Sequence, residues 1–335
     1  MAGVAIARLV LGIHVGLLPL LAVGPALAAG LAGIRLTVVA GAAAIAACVL
    51  LTFVQPPATM LRDLIALSAV VAVTGAAVLA TAVRQRRDRE LADVRAVAEV
   101  AQQVVLRPVP AEVGPLRFAV RYMSAQAGAQ IGGDLYDVVL TDGGVRLVLG
   151  DVQGKGLPAV RTAASVLAAY REAAYYAPDL EAVADRVEVV ISRQLAEEEF
   201  VTAVLAELVG DMSKVELLNC GHPPPLLISA GTARFVGSAG GCTPLGLLPL
   251  ADEPRTHLTV PFGPGDRILF YTDGVSEARD AAGAYFPLAR SAATWSSLPP
   301  EQFLDRLRDA VVRHVGHKPN DDVALLLLSW EERTG

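Results

Sequence analysis

Apolar residues run almost unbroken from Val4 to Val83, and two other periodicities follow. Residues 36–54 and 64–83 carry no charge, and each matches the ~20 residues that a bilayer-spanning helix needs. Residues 4–33 form a further apolar stretch, one long span or two short ones if Pro19 or Gly24-Pro25 interrupts it. The pattern predicts three transmembrane helices, or four with that break. From 84 to 107 the chain is charged and free of Gly and Pro, and Leu91, Val94, Ala98, Ala101 and Val105 fall at alternating spacings of three and four. That is the spacing of a short heptad seam, which would form a homodimer through 84–107, and equally of an amphipathic helix packing on its own domain. Pro108, Pro110 and Pro115 then mark a boundary.

Beyond 116 the runs shorten. Leu116–Met123, Leu135–Leu140, Val145–Leu149, Phe200–Val209, Val215–Asn219, Pro225–Ile228, Arg267–Tyr271 and Val323–Leu328 read as strands. Helical stretches fall at about 157–177, 179–196 and 300–315, the last with Phe303, Leu304, Leu307, Ala310 and Val311 on one face. Asp142-Gly143-Gly144 reads as a hairpin turn, so neighbouring strands are expected to be antiparallel. Strands grouped around a helical pair predict an α+β layered domain. The chain thus divides into a membrane region at 1–83, a helical linker at 84–107 and a globular domain at 108–335.

Composition sharpens this division. The 335 residues are 53% hydrophobic with a mean hydropathy of +0.48, high for a water-soluble enzyme. Residues 1–83 hold four charged side chains, Arg8, Arg35, Arg62 and Asp63, for a net +2; the rest of the chain carries −8. An acidic globular part argues against nucleic-acid binding, which needs a basic footprint. Arg84, Arg86, Arg87 and Arg89 follow the last span, and the positive-inside rule puts them, and the domain behind them, in the cytoplasm of a multi-pass cell-membrane protein. Cys48, Cys220 and Cys242 show no metal-ligand spacing. His14, within an apolar stretch, reads as a packing or interfacial histidine.

The chemistry lies in acids set beside glycines at strand ends. Asp134 follows Gly132-Gly133, Asp151 opens Asp151-Val152-Gln153-Gly154-Lys155-Gly156, Asp273 stands in Tyr271-Thr272-Asp273-Gly274, and Asp321 in Asn320-Asp321-Asp322. Glycine beside an acid makes a tight turn that leaves the carboxylate at a sheet rim. Four carboxylates gathered there would repel by about 4 kcal/mol per pair at ~4 Å and an effective dielectric near 20. Such a cluster is loose or partly protonated without cations, and its hard oxygens suit Mg²⁺ or Mn²⁺.

These motifs carry a family resemblance. Ile131-Gly132-Gly133-Asp134-Leu135-Tyr136-Asp137, Asp151-Val152-Gln153-Gly154-Lys155-Gly156, Asn219-Cys220-Gly221-His222-Pro223-Pro224, Tyr271-Thr272-Asp273-Gly274-Val275-Ser276-Glu277 and Asp321-Asp322-Val323 occur in the order seen in one group. Residues 116–330 resemble the stage-two-sporulation-E branch of the PPM metal-dependent serine/threonine phosphatases. The resemblance implies an α-β-β-α sandwich of two antiparallel sheets, preceded here by an all-α transmembrane region. It implies two Mn²⁺ or Mg²⁺ ions, with Asp151 bridging them, the Val152 carbonyl on one, Asp134 and Asp273 as further ligands, and Asp321 completing the set beside Asp322. Asp137 falls on the opposite strand face from Asp134, in a structural role or one that supports the ligands from behind. The family's usual Thr or Ser two positions after the acidic pair is Ala324 here, which removes a hydroxyl. The implied reaction is hydrolysis of phosphoserine or phosphothreonine on a signalling protein, an anti-sigma-factor antagonist, by metal-activated water. Lys155 reads as a solvated turn lysine, with attraction of the substrate phosphate as its other role. A catalytically weak pseudophosphatase that binds a phosphoprotein is the competing function. A diguanylate cyclase would need an acid and an aromatic after Gly132-Gly133-Asp134, where Leu135 and Tyr136 stand; a histidine kinase would need a histidine in 84–116, which has none.

Overall fold

The computed structural model describes residues 18–53, 60–123, 133–194, 199–237, 243–247, 255–316, 319 and 321–331. Ile131, Gly132, Asn320, Cys242 and His14, named above, lie outside the described residues. The chain forms two compact units, Met1–Val94 and Arg95–Gly335.

In the first unit a 3-10 turn at Leu18–Ala22 leads into α1 (Val23–Leu31), then α2 (Ile34–Phe53) and α3 (Met60–Val105). Two helical segments are long and apolar enough to cross a membrane, Ile34–Leu51 and Asp63–Ala92. Of the first apolar stretch, the described part is the 3-10 turn and a nine-residue helix, too short to span by itself; residues 1–17 lie outside the described residues. Leu21, Ala44, Cys48, Ala66 and Val70 form a small core. Gly41 permits it: a Cβ there would sit 2.2 Å from Thr74 Cγ2, so only glycine lets the two helices approach this closely. The Arg84 guanidinium donates to the carbonyls of Gly30 and Ala32 at 3.2 and 3.1 Å, closing the C-terminal end of α1.

The last span and the helical linker run on as a single 46-residue helix, α3. No Gly or Pro interrupts residues 84–105, so nothing breaks the hydrogen-bond ladder where the composition changes from apolar to charged. Between 93 and 104 the structure describes this helix but not its side chains, so the seam's Val94, Ala98 and Ala101 lie outside the described side chains.

The second unit is the expected α-β-β-α sandwich. One sheet has the order β3 (Leu135–Thr141), β4 (Gly144–Val152), β5 (Val201–Val209), β6 (Lys214–Cys220), β9 (Thr256–Pro261). The other runs β1 (Glu112–Val113), β2 (Leu116–Met123), β11 (Val323–Trp330), β10 (Arg267–Tyr271), β7 (Leu226–Ser229), β8 (Thr232–Phe235). Every ladder between these strands is antiparallel. The hairpin at Asp142-Gly143 closes on the Thr141–Gly144 pair, as predicted. Helices α4 (Leu157–Tyr176) and α5 (Leu180–Ile191) cover the first sheet; α7 (Leu288–Thr294) and α8 (Pro300–Val315) cover the second, with the single turn α6 (Asp273–Ser276) following β10.

Strand alternation explains the three cores. Val145, Leu147 and Leu149 point between the sheets, whereas Val148 and Val152 point to α4 and α5. Leu326 and Leu328 face the first sheet, Leu325 and Leu327 the outer helices. Both faces of β4 and β11 are therefore buried, so their sequences read as continuous apolar runs. Arg146 is buried on β4; it pairs with Glu207 at 2.7 Å and donates to the carbonyls of Ala174, Ala177 and Pro178 at 3.0, 2.7 and 3.3 Å. It thereby satisfies the C-terminal carbonyls of α4 and fixes the turn into α5. Sequence reading missed β1, β8, β9, α6 and α7, all but β9 short and none with a strong period.

Candidate metal centre

Two aspartates meet across the β3–β4 ladder. Leu135 pairs with Gly150, and the Val152 N–H donates to the Gly133 carbonyl at 3.2 Å. Asp134 and Asp151 lie between these contacts, directly opposite each other on the face that looks toward the second sheet. Their position is a non-hydrogen-bonded pair, which brings Cα atoms to roughly 4.5 Å. Glycine is required beside them. A Cβ on Gly133 would lie 2.5 Å from Val152 Cβ and 2.6 Å from its carbonyl oxygen, and one on Gly150 would lie 2.4 Å from the Thr202 carbonyl.

The other sheet supplies the remaining acids. Past Tyr271–Leu325 the ladder continues to Thr272 and Ala324, with the Thr272 N–H donating to the Ala324 carbonyl at 3.1 Å. The chain then turns into α6, so Asp273 is the first residue of a helical turn rather than the end of a strand. Gly274 passes so close that an added Cβ would sit 2.0 Å from the Asp322 carbonyl. Asp322 is buried and accepts a short hydrogen bond from the Tyr122 hydroxyl. Asp321 is half-exposed and pairs with Lys155 Nζ at 3.0 Å.

Thr272 joins the two halves. Its hydroxyl accepts from the Ala324 N–H at 2.9 Å and donates to Asp134 Oδ2 at 2.9 Å. Thus at the position facing Ala324, where the resemblance expects a hydroxyl on the other strand, Thr272 provides one. Sequence reasoning missed the roles of Thr272 and Tyr122. Thr272 stood inside a quoted motif; Tyr122, 200 residues from Asp322, gave no signal.

Electrostatics follow from this crowding. Burial raises Asp134 well above the ordinary carboxylate range, with the charges of Asp151 and Asp322 adding to it. Burial, then Asp273 and Asp321, raise Asp151 to about 7, against a hydrogen bond from Asp134 that favours its ionised form. Burial, then Asp321 and Glu277, raise Asp273. Among the described residues no three acidic, histidine or cysteine side chains converge on one point as a finished ligand set. What fits a hard divalent cation is the donor chemistry: neighbouring carboxylates held above their ordinary range by burial and by one another, with the Val152 carbonyl beside Gly133.

Asp137 is on the opposite face, as expected, where it is buried against Arg171 through a short hydrogen bond. Arg171 also donates to the Val105 carbonyl at 2.9 Å. His222 is buried, its Nε2 3.1 Å from the Tyr271 carbonyl and its Nδ1 3.0 Å from Thr202 Oγ1. A carbonyl can only accept, so Nε2 carries the proton and Nδ1 accepts from the hydroxyl. Burial lowers this histidine to about 3, which keeps it neutral near pH 7. It is a strut between β5 and β10, strands from different sheets.

The comparisons with known proteins agree with this fold. The family described as Stage II sporulation protein E (SpoIIE) matches residues 141–331, more than half of the chain. The crystal structure of the RsbU and RsbW domains of Rv1364c from Mycobacterium tuberculosis is similar, with 28% identity and a TM-score of 0.58 over 69% of this chain and 64% of that one. This chain thus spans a little under two thirds of that structure's length. The SiaA-PP2C domain of Pseudomonas aeruginosa shares the fold at 18% identity, TM-score 0.61, over 73% of this chain and 98% of that one. So does the PP2C phosphatase domain, with a fragment of the regulatory domain, of SpoIIE from Bacillus subtilis, at 15% identity, TM-score 0.54 and 65% of each chain. The sandwich is the PPM phosphatase fold, and the chain belongs to the stage II sporulation protein E family.

Proposed function

We propose that this chain is a membrane-anchored, metal-dependent protein phosphatase that hydrolyses phosphoserine or phosphothreonine on a signalling protein, an anti-sigma-factor antagonist. The observation that carries the reading is the gathering of Asp134, Asp151, Asp273, Asp321 and Asp322 at one end of the sandwich, with the first three raised by burial and by neighbouring acids. Asp134, Asp151, Asp273 and Asp321, with the Val152 carbonyl, would hold two Mn²⁺ or Mg²⁺ ions. When bound, the ions would supply a hydrolytic nucleophile at neutral pH and positive charge against the phosphoryl oxygens.

The chain's own residues position that chemistry. Thr272 holds one oxygen of Asp134, and Tyr122 holds Asp322. Lys155 neutralises Asp321 and is the cationic side chain within reach of an incoming phosphate. His222 fixes the spacing of the sheets without taking part in proton transfer.

Family membership and the likeness to a chain with RsbU and RsbW domains support a substrate in sigma-factor control. Membrane anchoring is supported by two long apolar helices whose large side chains face outward: Leu36 is 63% exposed, Leu61 74% and Phe53 84%. A core helix of a soluble protein would bury them. The arginines at 84, 86, 87 and 89 support a cytoplasmic phosphatase domain, and the seam in 84–107 supports a homodimer.

The test is phosphate release by the full chain, purified in detergent with Mn²⁺, from a phosphoserine peptide and from an aryl phosphate. Turnover that disappears with EDTA and in Asp151→Asn is expected. A folded, Mn²⁺-binding chain that hydrolyses neither compound would instead be a pseudophosphatase, a phosphoprotein-binding module.

A further inference from the structure

A cleft of about 470 Å³ opens beside the carboxylate cluster and shares Asp273 with it. That volume far exceeds what a phosphoryl group fills, and it falls within the roughly 300–1,000 Å³ range of ligand sites. Pro223, Pro224 and Phe235 form its apolar side; Ser276 and Glu277 form its polar lip.

The apolar wall is rigid. The Asn219 side-chain amide donates to the His222 carbonyl at 2.8 Å, and its oxygen accepts from the His222 N–H at 2.8 Å. The Tyr271 hydroxyl donates to the Pro224 carbonyl at 2.9 Å. Gly221 turns the chain at φ +72°, where a Cβ would strike Pro244 Cγ at 2.7 Å. Phe235, on the edge strand β8, keeps 46% of its surface exposed beside this wall.

The lip is acidic and its charge is uncompensated. Glu277 is exposed and has no ion-pair partner among the described residues. The nearest basic residue in sequence, Arg279, lies over the Tyr285 ring at 4.0 Å from its centroid. Glu277 acts electrostatically on Asp273 instead.

We infer that this cleft receives the polypeptide on either side of the phosphorylated residue, seating an apolar side chain on Pro223, Pro224 and Phe235 and a basic side chain against Glu277. The inference rests on the phosphatase reading and names its sequence preference. The continuity of the cleft with the acids at Asp273 is what ties the two: a phosphate held at the cluster places its neighbours here. The unpaired carboxylate at the lip selects a cation and rejects an acid.

The experiment uses the full chain in detergent with Mn²⁺ and three phosphoserine peptides, with Leu and Arg, Leu and Glu, or only Gly within three residues of the phosphoserine. Fluorescence anisotropy reads binding, and phosphate release reads turnover. The Leu-Arg peptide is expected to exceed the Leu-Glu peptide by about tenfold in kcat/KM, a preference that Glu277→Lys inverts. Phe235→Ala is expected to raise KM severalfold for both leucine peptides relative to the glycine peptide. Equal treatment of all three by wild type, or an unchanged Arg-to-Glu ratio in Glu277→Lys, overturns the inference while leaving the phosphatase intact. Selective binding of the Leu-Arg peptide without phosphate release would uphold the cleft and overturn the phosphatase reading.

Discussion

Thr272 and Asp134, each one residue outside a strand of a different sheet, are joined by a hydrogen bond of 2.9 Å from hydroxyl to Oδ2. Both residues are buried, so the bond has no water to replace it. Thr272→Val keeps the shape and removes the donor; leaving a buried acceptor unpaired costs about 1–3 kcal/mol. The variant should lower the unfolding free energy measured in urea by an amount in that range and slow phosphate release at least tenfold, whereas Thr272→Ser should keep both near wild type. Equal damage from Val and Ser would show that packing of the Thr272 methyl matters instead.

The Asp151 carboxyl predicts an unusual pH dependence for the metal-free chain. Its folded pKa, about 7, lies above the unfolded value near 3.9. Its contribution is therefore fully present below pH 4 and lost as pH rises through 7, at up to about 1.4 kcal/mol per unit. In EDTA, Asp151→Asn should be more stable than wild type at pH 8, and the gap should close toward pH 4. Mn²⁺ should stabilise wild type strongly and the variant weakly. Thermal melts of both chains, with and without metal, check this.

His222 predicts the opposite slope. Its folded value, about 3, lies below the ordinary 6.5. Between those limits the unfolded chain takes up a proton that the folded chain refuses, so stability falls as pH drops from 6.5 toward 3, by about 1.4 kcal/mol per unit. His222→Gln removes that term. The difference in unfolding free energy between wild type and variant should shrink as pH falls from 7 to 5; a constant difference would mean that His222 titrates normally.

Lys155 sets a cation against Asp321 at 3.0 Å, with both side chains partly exposed. Lys155→Met should tighten Mn²⁺ binding by a factor on the order of 2 to 5, the worth of an exposed ion pair. Calorimetric titration would reveal it, and weaker binding would place Lys155 in a supporting role for the metal instead.

Much of this was legible in the sequence because both faces of the central strands are buried: continuous apolar runs such as Val145–Leu149 and Val323–Leu328 leave little choice of element. Asp134, Asp151 and Asp273 were legible because each stands beside a glycine at a close backbone approach, Gly133 against Val152, Gly150 against Thr202 and Gly274 against Asp322. Partners brought together only by the stacking of two sheets left no local trace. Tyr122 with Asp322, Thr272 with Asp134, and His222 with Tyr271 depend on register and layer spacing, which no periodicity encodes. The charged stretch after the last span read as a separate linker because its composition changes, although hydrogen bonding along α3 is indifferent to that change.

The ladder that sets Asp134 opposite Asp151 depends on a two-residue turn and on nothing nearer the acids than Gly133 and Gly150. Side chains alternate along a strand, so a misalignment of one position would bring Gly133 or Leu135 opposite Asp151 and turn Asp134 toward the helix layer. Such a chain would keep its spectroscopic strand content yet be inert. Lengthening the Asp142-Gly143 loop by one residue is thus a way to separate folding from catalysis without touching any acid.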